Sequence, residues 1–163
     1  MLPFNATEKM KFGAAIEEWV LAELAAQGYA ARLMTRWGDA FDLVIDAACP
    51  VRVEVKAARR RLRKVRPGYY APEWRWHVAN IASDGDYLLA LVAEERGQRY
   101  LFLVPSWEAW GRQGLSITSH PERYKGRLAK YLGAWSTIAW AAGRGLKNQI
   151  KLITESQEAL CTL

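Results

Sequence analysis

Residues 51–57 read VRVEVKA, a strict alternation of apolar and charged side chains. Successive side chains of a strand point to opposite faces, so Val51, Val53 and Val55 share one face while Arg52, Glu54 and Lys56 share the other. That period fits a half-buried strand and not a helix. Just upstream, FDLVIDA alternates too, and Pro50 breaks the two runs apart. Two such runs with a short connection predict an antiparallel hairpin.

The rest of the chain is arranged around this hairpin. EKMKFGAAIEEWVLAELAAQG carries Phe12, Ile16, Trp19, Val20 and Leu24 at helical spacing, with Thr7 as N-cap and Gly28 as stop signal. YAARLMTR reads as a strand and Trp37-Gly38-Asp39 as a turn. Residues 59–73 are basic and punctuated by Pro and Gly, and are expected to form a loop. WRWHVAN alternates again, placing Trp74, Trp76 and Val78 on one face. DYLLALVA and RYLFLVP are apolar strands joined through EERGQ, and SWEAWGRQG suggests a short helix. From Pro121 onward the spacing is consistent with helix. Helix, strands, then helix predict an α/β or α+β domain with a mixed central sheet.

A chain of 163 residues suits a single domain, here divided into a core over 1–104 and a mostly helical part over 105–163. The net charge of +6 favours a polyanionic partner or an anionic membrane surface. Cys49 and Cys161 are far apart, and the only histidines are His77 and His120, so neither a zinc site nor a histidine metal centre is expected. The first residues lack the apolar core of a signal peptide, and YLGAWSTIAWAAG is too short to span a bilayer. An intracellular, cytoplasmic protein with no membrane partner is expected, in the host cytoplasm if the chain is phage-encoded.

Chemistry is suggested by three acids and a lysine. Asp42 and Glu54 are 54 − 42 = 12 residues apart, so a hairpin brings both near one edge of a sheet. Glu54 and Lys56 share a strand face. On the first helix, Glu17 falls roughly 60° from Val20 at the centre of the apolar stripe, whereas Glu18 falls roughly 160° away toward solvent. Crowded carboxylates repel one another and resist ionising. A hard divalent cation resolves that conflict, and oxygen ligands completed by water suit Mg2+ or Mn2+. Lys56 would orient or activate an attacking water, or neutralise charge on phosphorus, in phosphodiester hydrolysis. Taken singly, Glu-x-Lys is also a common surface ion pair, Asp42 a turn acid and Glu17 a solvated helix residue.

Taken together, GAAIEEWVLAELAAQGY, GDAFDLVID and VRVEVKA resemble the PD-(D/E)xK nuclease superfamily. Within it they look most like the archaeal-type Holliday junction resolvases. The resemblance covers about the first third of the chain and includes the Gly28-Tyr29 pair 28 − 17 = 11 residues after Glu17. Phe41 stands where the motif often has Pro. The resemblance implies a restriction-endonuclease-like core, with a mixed central β-sheet flanked by helices. It implies metal binding by Asp42, Glu54 and the Val55 carbonyl. Lys56 becomes the catalytic lysine and Glu17 an outer or second-metal ligand. It further implies Thr35 and Arg36 near the scissile phosphate. The activity so implied is that of a Mg2+-dependent DNA endonuclease acting on branched DNA in recombination or repair. A homodimer would match the pseudo-two-fold symmetry of a four-way junction. A restriction- or homing-type endonuclease is the alternative within the superfamily, and a non-catalytic DNA-binding module the alternative outside enzymology.

Arg59, Arg60, Arg61, Arg63, Lys64 and Arg66 follow the Glu-x-Lys strand. Beside a cleavage site they are expected to neutralise DNA phosphates, although such a run elsewhere is often only a solvated loop. Arg123, Lys125, Arg127 and Lys130 either extend that footprint or form an ordinary exposed helix face. Trp74 and Trp76 are expected in the core, while Tyr69 and Tyr70 either touch DNA or pin the loop. DYLLALV and AWSTIAW fit a dimer surface and buried core equally well.

Overall fold

The computed structural model describes residues 5–34, 41–79 and 87–144. The expected Trp37-Gly38-Asp39 turn and Cys161 lie outside these residues. Helix α1 (Asn5–Ala26) starts two residues ahead of the expected Thr7 cap and buries Ile16, Val20 and Leu24. It ends in a left-handed Gly28, φ 85°. The Tyr29 N–H bonds the Leu24 carbonyl at 3.0 Å and the Gly28 N–H bonds the Ala25 carbonyl at 2.9 Å. This paired closure satisfies the last helical carbonyls and needs a residue free of the Cβ penalty at position 28. It also swings Tyr29 into a stack with Trp135, ring centres 6.4 Å apart.

The strands are β1 (Ala31–Leu33), β2 (Leu43–Ile45), β3 (Val51–Arg59), β4 (Arg61–Arg66), β5 (Tyr69–His77), β6 (Leu88–Glu95), β7 (Gln98–Pro105) and β8 (Gly114–Ile117). One sheet has the order β1-β2-β3-β6-β7, and a second has β4-β5-β8. The expected hairpin is β2–β3, antiparallel with Leu43 opposite Val53. β3 and β6 pair in parallel, and the other neighbours are antiparallel. The mixed sheet and the restriction-endonuclease-like fold class expected from sequence are present.

β6 explains why the fold needs two covering layers. Leu88 to Ala93 are all 0% exposed, as expected of a strand buried on both faces. Leu88, Ala90 and Val92 join Ile16, Val20 and Leu24 in one core, together with Ile138 and Ala141 from helix α2 (136–144). Leu89, Leu91 and Ala93 join Trp74, Trp76, Leu115 and Ile117 in the other. Both helices therefore lie on one face, and the second sheet covers the opposite one. DYLLALV is spent in the core, apart from Asp86, which is outside the described residues.

Trp74 and Trp76 are each 1% exposed, as their alternation predicts. Their indole N–H groups donate to the carbonyls of Glu94 (3.0 Å) and Val92 (3.1 Å). The two tryptophans thus pin β5 across the face of β6.

The expected loop over 59–73 is instead the end of β3 followed by an antiparallel β4–β5 hairpin. Pro67 and Gly68 (φ 73°) are its two-residue turn, Pro presetting one dihedral and Gly supplying the left-handed one. Charge and turn residues hid the strands because every residue of β4 is exposed and shows no apolar period. The stretch from Pro121, expected to be helical, is built mainly of short 3-10 turns (Pro121–Arg123 and Ala129–Tyr131) before α2 begins. SWEAWGRQG contributes one 3-10 turn, Ser106–Ala109.

Replacing Trp76 with Ala leaves a large cavity between the sheets and strands the Val92 carbonyl. A loss of about 3–5 kcal/mol of unfolding free energy is expected in denaturant titrations.

Candidate active site

Asp42 is held by three hydrogen bonds, two from β3 and one from Met34. Its N–H bonds the Val53 carbonyl at 3.1 Å, and its carbonyl accepts the Met34 N–H at 2.9 Å. Its carboxylate oxygen Oδ2 accepts the Val55 N–H at 2.7 Å. β2 begins at Leu43, immediately after Asp42, and among the described residues no strand covers this edge of β3 beyond Val53. In a strand the N–H and C=O of one residue point to the same side, so the Val55 carbonyl faces the open edge beside Asp42. Phe41, immediately before Asp42, is itself anchored: its ring meets Tyr87 edge-on at 5.0 Å, and the Arg52 guanidinium lies 4.5 Å above it. An apolar ring does the anchoring where the motif often has Pro.

On β3, Lys56 donates from Nζ to Glu54 Oε1 at 2.5 Å. Both are partly buried, with 35% of the Lys56 side chain and 19% of the Glu54 side chain exposed. The pair uses one carboxylate oxygen, and Oε2 has no such contact.

Glu17 comes to this group from α1. Its pKa is raised above the ordinary 4.5, first by burial and then by the charges of Asp42 and Glu54, with Glu18 adding to the rise and Lys56 opposing it. The structure thus brings the expected quartet of Glu17, Asp42, Glu54 and Lys56 into one electrostatic group. Three carboxylates against one ammonium leave 3 − 1 = 2 negative charges unbalanced.

Among the described residues, no three His, Cys, Asp or Glu side chains are drawn together tightly enough to enclose a metal by themselves. The donor set still fits a hard cation. It offers two carboxylates with uncommitted oxygens and one backbone carbonyl on the same edge, all hard oxygen donors of the kind Mg2+ takes.

The basic residues separate into two groups. Arg59 lies 4.1 Å over the Phe12 ring and 3.8 Å from Glu94. Arg60 pairs with Glu95 at 3.0 Å. Arg61 binds Glu73, whose side chain is only 6% exposed, and Arg63 lies 3.9 Å from the same carboxylate. Lys64 has no carboxylate partner among the described residues, and Arg66 lies 5.4 Å over the Tyr69 ring. Farther on, Arg127 and Lys130 pair with buried Glu108, whose carboxylate also accepts the Tyr131 hydroxyl at 2.7 Å. Burial and that bond push the Tyr131 pKa up. Thr35 and Arg36 lie outside the described residues. Sequence reasoning missed the anchoring by Phe41 and Arg52. The only signal for it was that Arg52 shares the strand face of Glu54 and Lys56.

The fold and this cluster define a metal-dependent nuclease. A family profile described as "PD-(D/E)XK nuclease superfamily domain" matches residues 5–125, and the chain belongs to that superfamily. The fold is similar to a solved bacterial homing endonuclease, I-Ssp6803I, with a TM-score of 0.59 and 14% identity over 83% of this chain and 94% of that one. No curated protein matches the chain. No helix among the described residues is long and apolar enough to cross a membrane.

The raised pKa of Glu17 means that the folded state favours its protonated form. Ionised Glu17 therefore weakens the fold once the pH exceeds its folded pKa, and the penalty is absent below about 4.5. Glu17→Gln is expected to raise the melting temperature near neutral pH, with the gain disappearing as the pH falls below that value.

Proposed function

We propose that the protein is a DNA endonuclease whose metal is held by Asp42, Glu54 and the Val55 carbonyl. The observation that carries this reading is the Val55 N–H to Asp42 bond, which fixes one carboxylate beside the Glu54–Lys56 pair at an uncovered strand edge. A divalent cation there supplies Lewis acidity at a phosphoryl oxygen and acidifies water. Mg2+ is the proposed ion and Mn2+ its substitute. Lys56 holds the attacking water or neutralises charge developing on the phosphate. Glu54 holds the Lys56 ammonium along the strand. Glu17, which shares the electrostatics of Asp42 and Glu54, would serve as an outer or second-metal ligand. The net charge of +6 suits a polyanion, and Arg59, Arg60, Arg61, Arg63, Lys64 and Arg66, close after Lys56 in the chain, support the same reading.

For the substrate, the exposed β4–β5 hairpin favours linear duplex DNA, since a two-stranded ribbon fits a major groove. This is the restriction- or homing-type reading. The junction-resolving reading uses the same chemistry and additionally requires two copies to pair their sites across a four-way junction. Thr35 and Arg36 remain proposed neighbours of the scissile phosphate in either case.

The test is cleavage of labelled linear duplex and four-way junctions, with and without Mg2+. Metal-dependent cutting of the duplex is expected. Asp42→Asn and Glu54→Gln are expected to abolish cutting while DNA binding persists, and Lys56→Ala to slow it by about 10²–10⁴-fold. Preferential cutting of the junction would transfer the assignment to a resolvase. Cutting of neither, with binding retained, would leave a non-catalytic DNA-binding module.

A further inference from the structure

The six basic residues that follow Lys56 between Arg59 and Arg66 are not equivalent, and their differences follow the geometry of the arm. β4 pairs with β5 alone, so its other edge is free among the described residues. All residues from Arg61 to Tyr70 are exposed. The hairpin therefore projects from the body as a two-stranded ribbon. Its base is tied down: Arg60 to Glu95 at 3.0 Å, Arg59 to Glu94 at 3.8 Å, and Arg61 to buried Glu73. Trp74, immediately after Glu73, is fixed to the Glu94 carbonyl. These contacts spend the positive charge at the base on the protein's own carboxylates.

The tip differs. The register shifts between Lys64 and Arg66, so that Arg66 faces Tyr69 across the Pro67-Gly68 turn. An irregularity of this kind increases strand twist and re-aims side chains. Among the described residues Lys64 has no carboxylate partner, and Arg66 is backed by an aromatic ring that is itself 51% exposed. Phosphate oxygens are the partners that two unpaired cations at the end of a ribbon would meet on DNA. Lys56 and Lys64 are eight residues apart along the chain, at most about 28 Å when extended. The tip therefore lies within that distance of Lys56.

We propose that Lys64 and Arg66, at the tip of the β4–β5 arm, are the phosphate contacts that hold duplex DNA across the Asp42–Glu54 edge, while Arg59, Arg60 and Arg61 brace the arm against the body. This rests on the nuclease reading above only for where the scissile phosphate lies. Contacts of this type position the duplex without reading its sequence.

The experiment measures binding of a linear duplex to the full chain by fluorescence anisotropy over a salt series in EDTA, so that no cleavage occurs. Each phosphate contact contributes about 0.9 to the slope of log K against log salt. The double variant Lys64→Ala/Arg66→Ala is expected to lower the slope by about 2. The double variant Arg59→Ala/Arg60→Ala is expected to keep the slope and to melt at a lower temperature. A slope unaltered by the tip variant, or carried instead by Arg59 and Arg60, overturns the proposal. Circular dichroism confirms that each variant is folded. Should the parent protein show the expected slopes yet cut nothing with Mg2+, the nuclease reading fails and the arm stands. Should it cut while the tip variant binds with an unchanged slope, the arm fails and the nuclease reading stands.

Discussion

The site depends on one hydrogen bond, from the Val55 N–H to the Asp42 carboxylate. β2 stops pairing at Leu43, and the next polar group on the β3 edge would be unpaired without it. Asp42 takes that position with its side chain, while its backbone continues the ladder on both sides through Val53 and Met34. A carboxylate is thereby fixed at the place where the sheet opens. Two residues from Val55 in either direction are apolar, but its immediate neighbours are Glu54 and Lys56, both facing away from the helix core. The strand period therefore delivers an acid and a base beside an already anchored acid.

Electrostatics sets this region against the rest of the chain. The molecule carries a net charge of +6, yet two carboxylates and a lysine at the sheet and a third carboxylate from α1 form one electrostatic group. The resulting repulsion is visible in Glu17, which burial and its acidic neighbours hold above the ordinary glutamate range. Ordinary folding would select against such crowding, and a dication relieves it. Elsewhere the chain pairs its charges locally. Glu73, Glu94, Glu95 and Glu108 each meet arginine, and two of these pairings involve carboxylates that are almost wholly buried.

The helix stripe, the hairpin, the buried tryptophans and the apolar strands were legible because each has a clear period: Ile16-Val20-Leu24 at helical spacing, Val51-Val53-Val55 and Trp74-Trp76-Val78 at strand spacing. That Glu54 and Lys56 share a face was legible for the same reason, since the strand period alone fixes it. The β4–β5 arm was not, because a strand exposed on both faces has no apolar alternation to read, and Arg-rich composition with Pro-Gly imitates a loop. Nor was the turn-rich path after Pro121, where Leu128 and Tyr131 enter the core at helix-like spacing from 3-10 turns. That both helices lie on one face is a long-range fact, set by the two cores on either side of β6.

The central claim is that the Asp42–Glu54 edge binds a divalent cation through those two side chains. Calorimetric titration of Mn2+ into the parent protein and into Asp42→Asn, without DNA, tests it most directly. Saturable uptake by the parent and its loss in Asp42→Asn is the predicted result. Equal uptake by both proteins, or none by either, would contradict it.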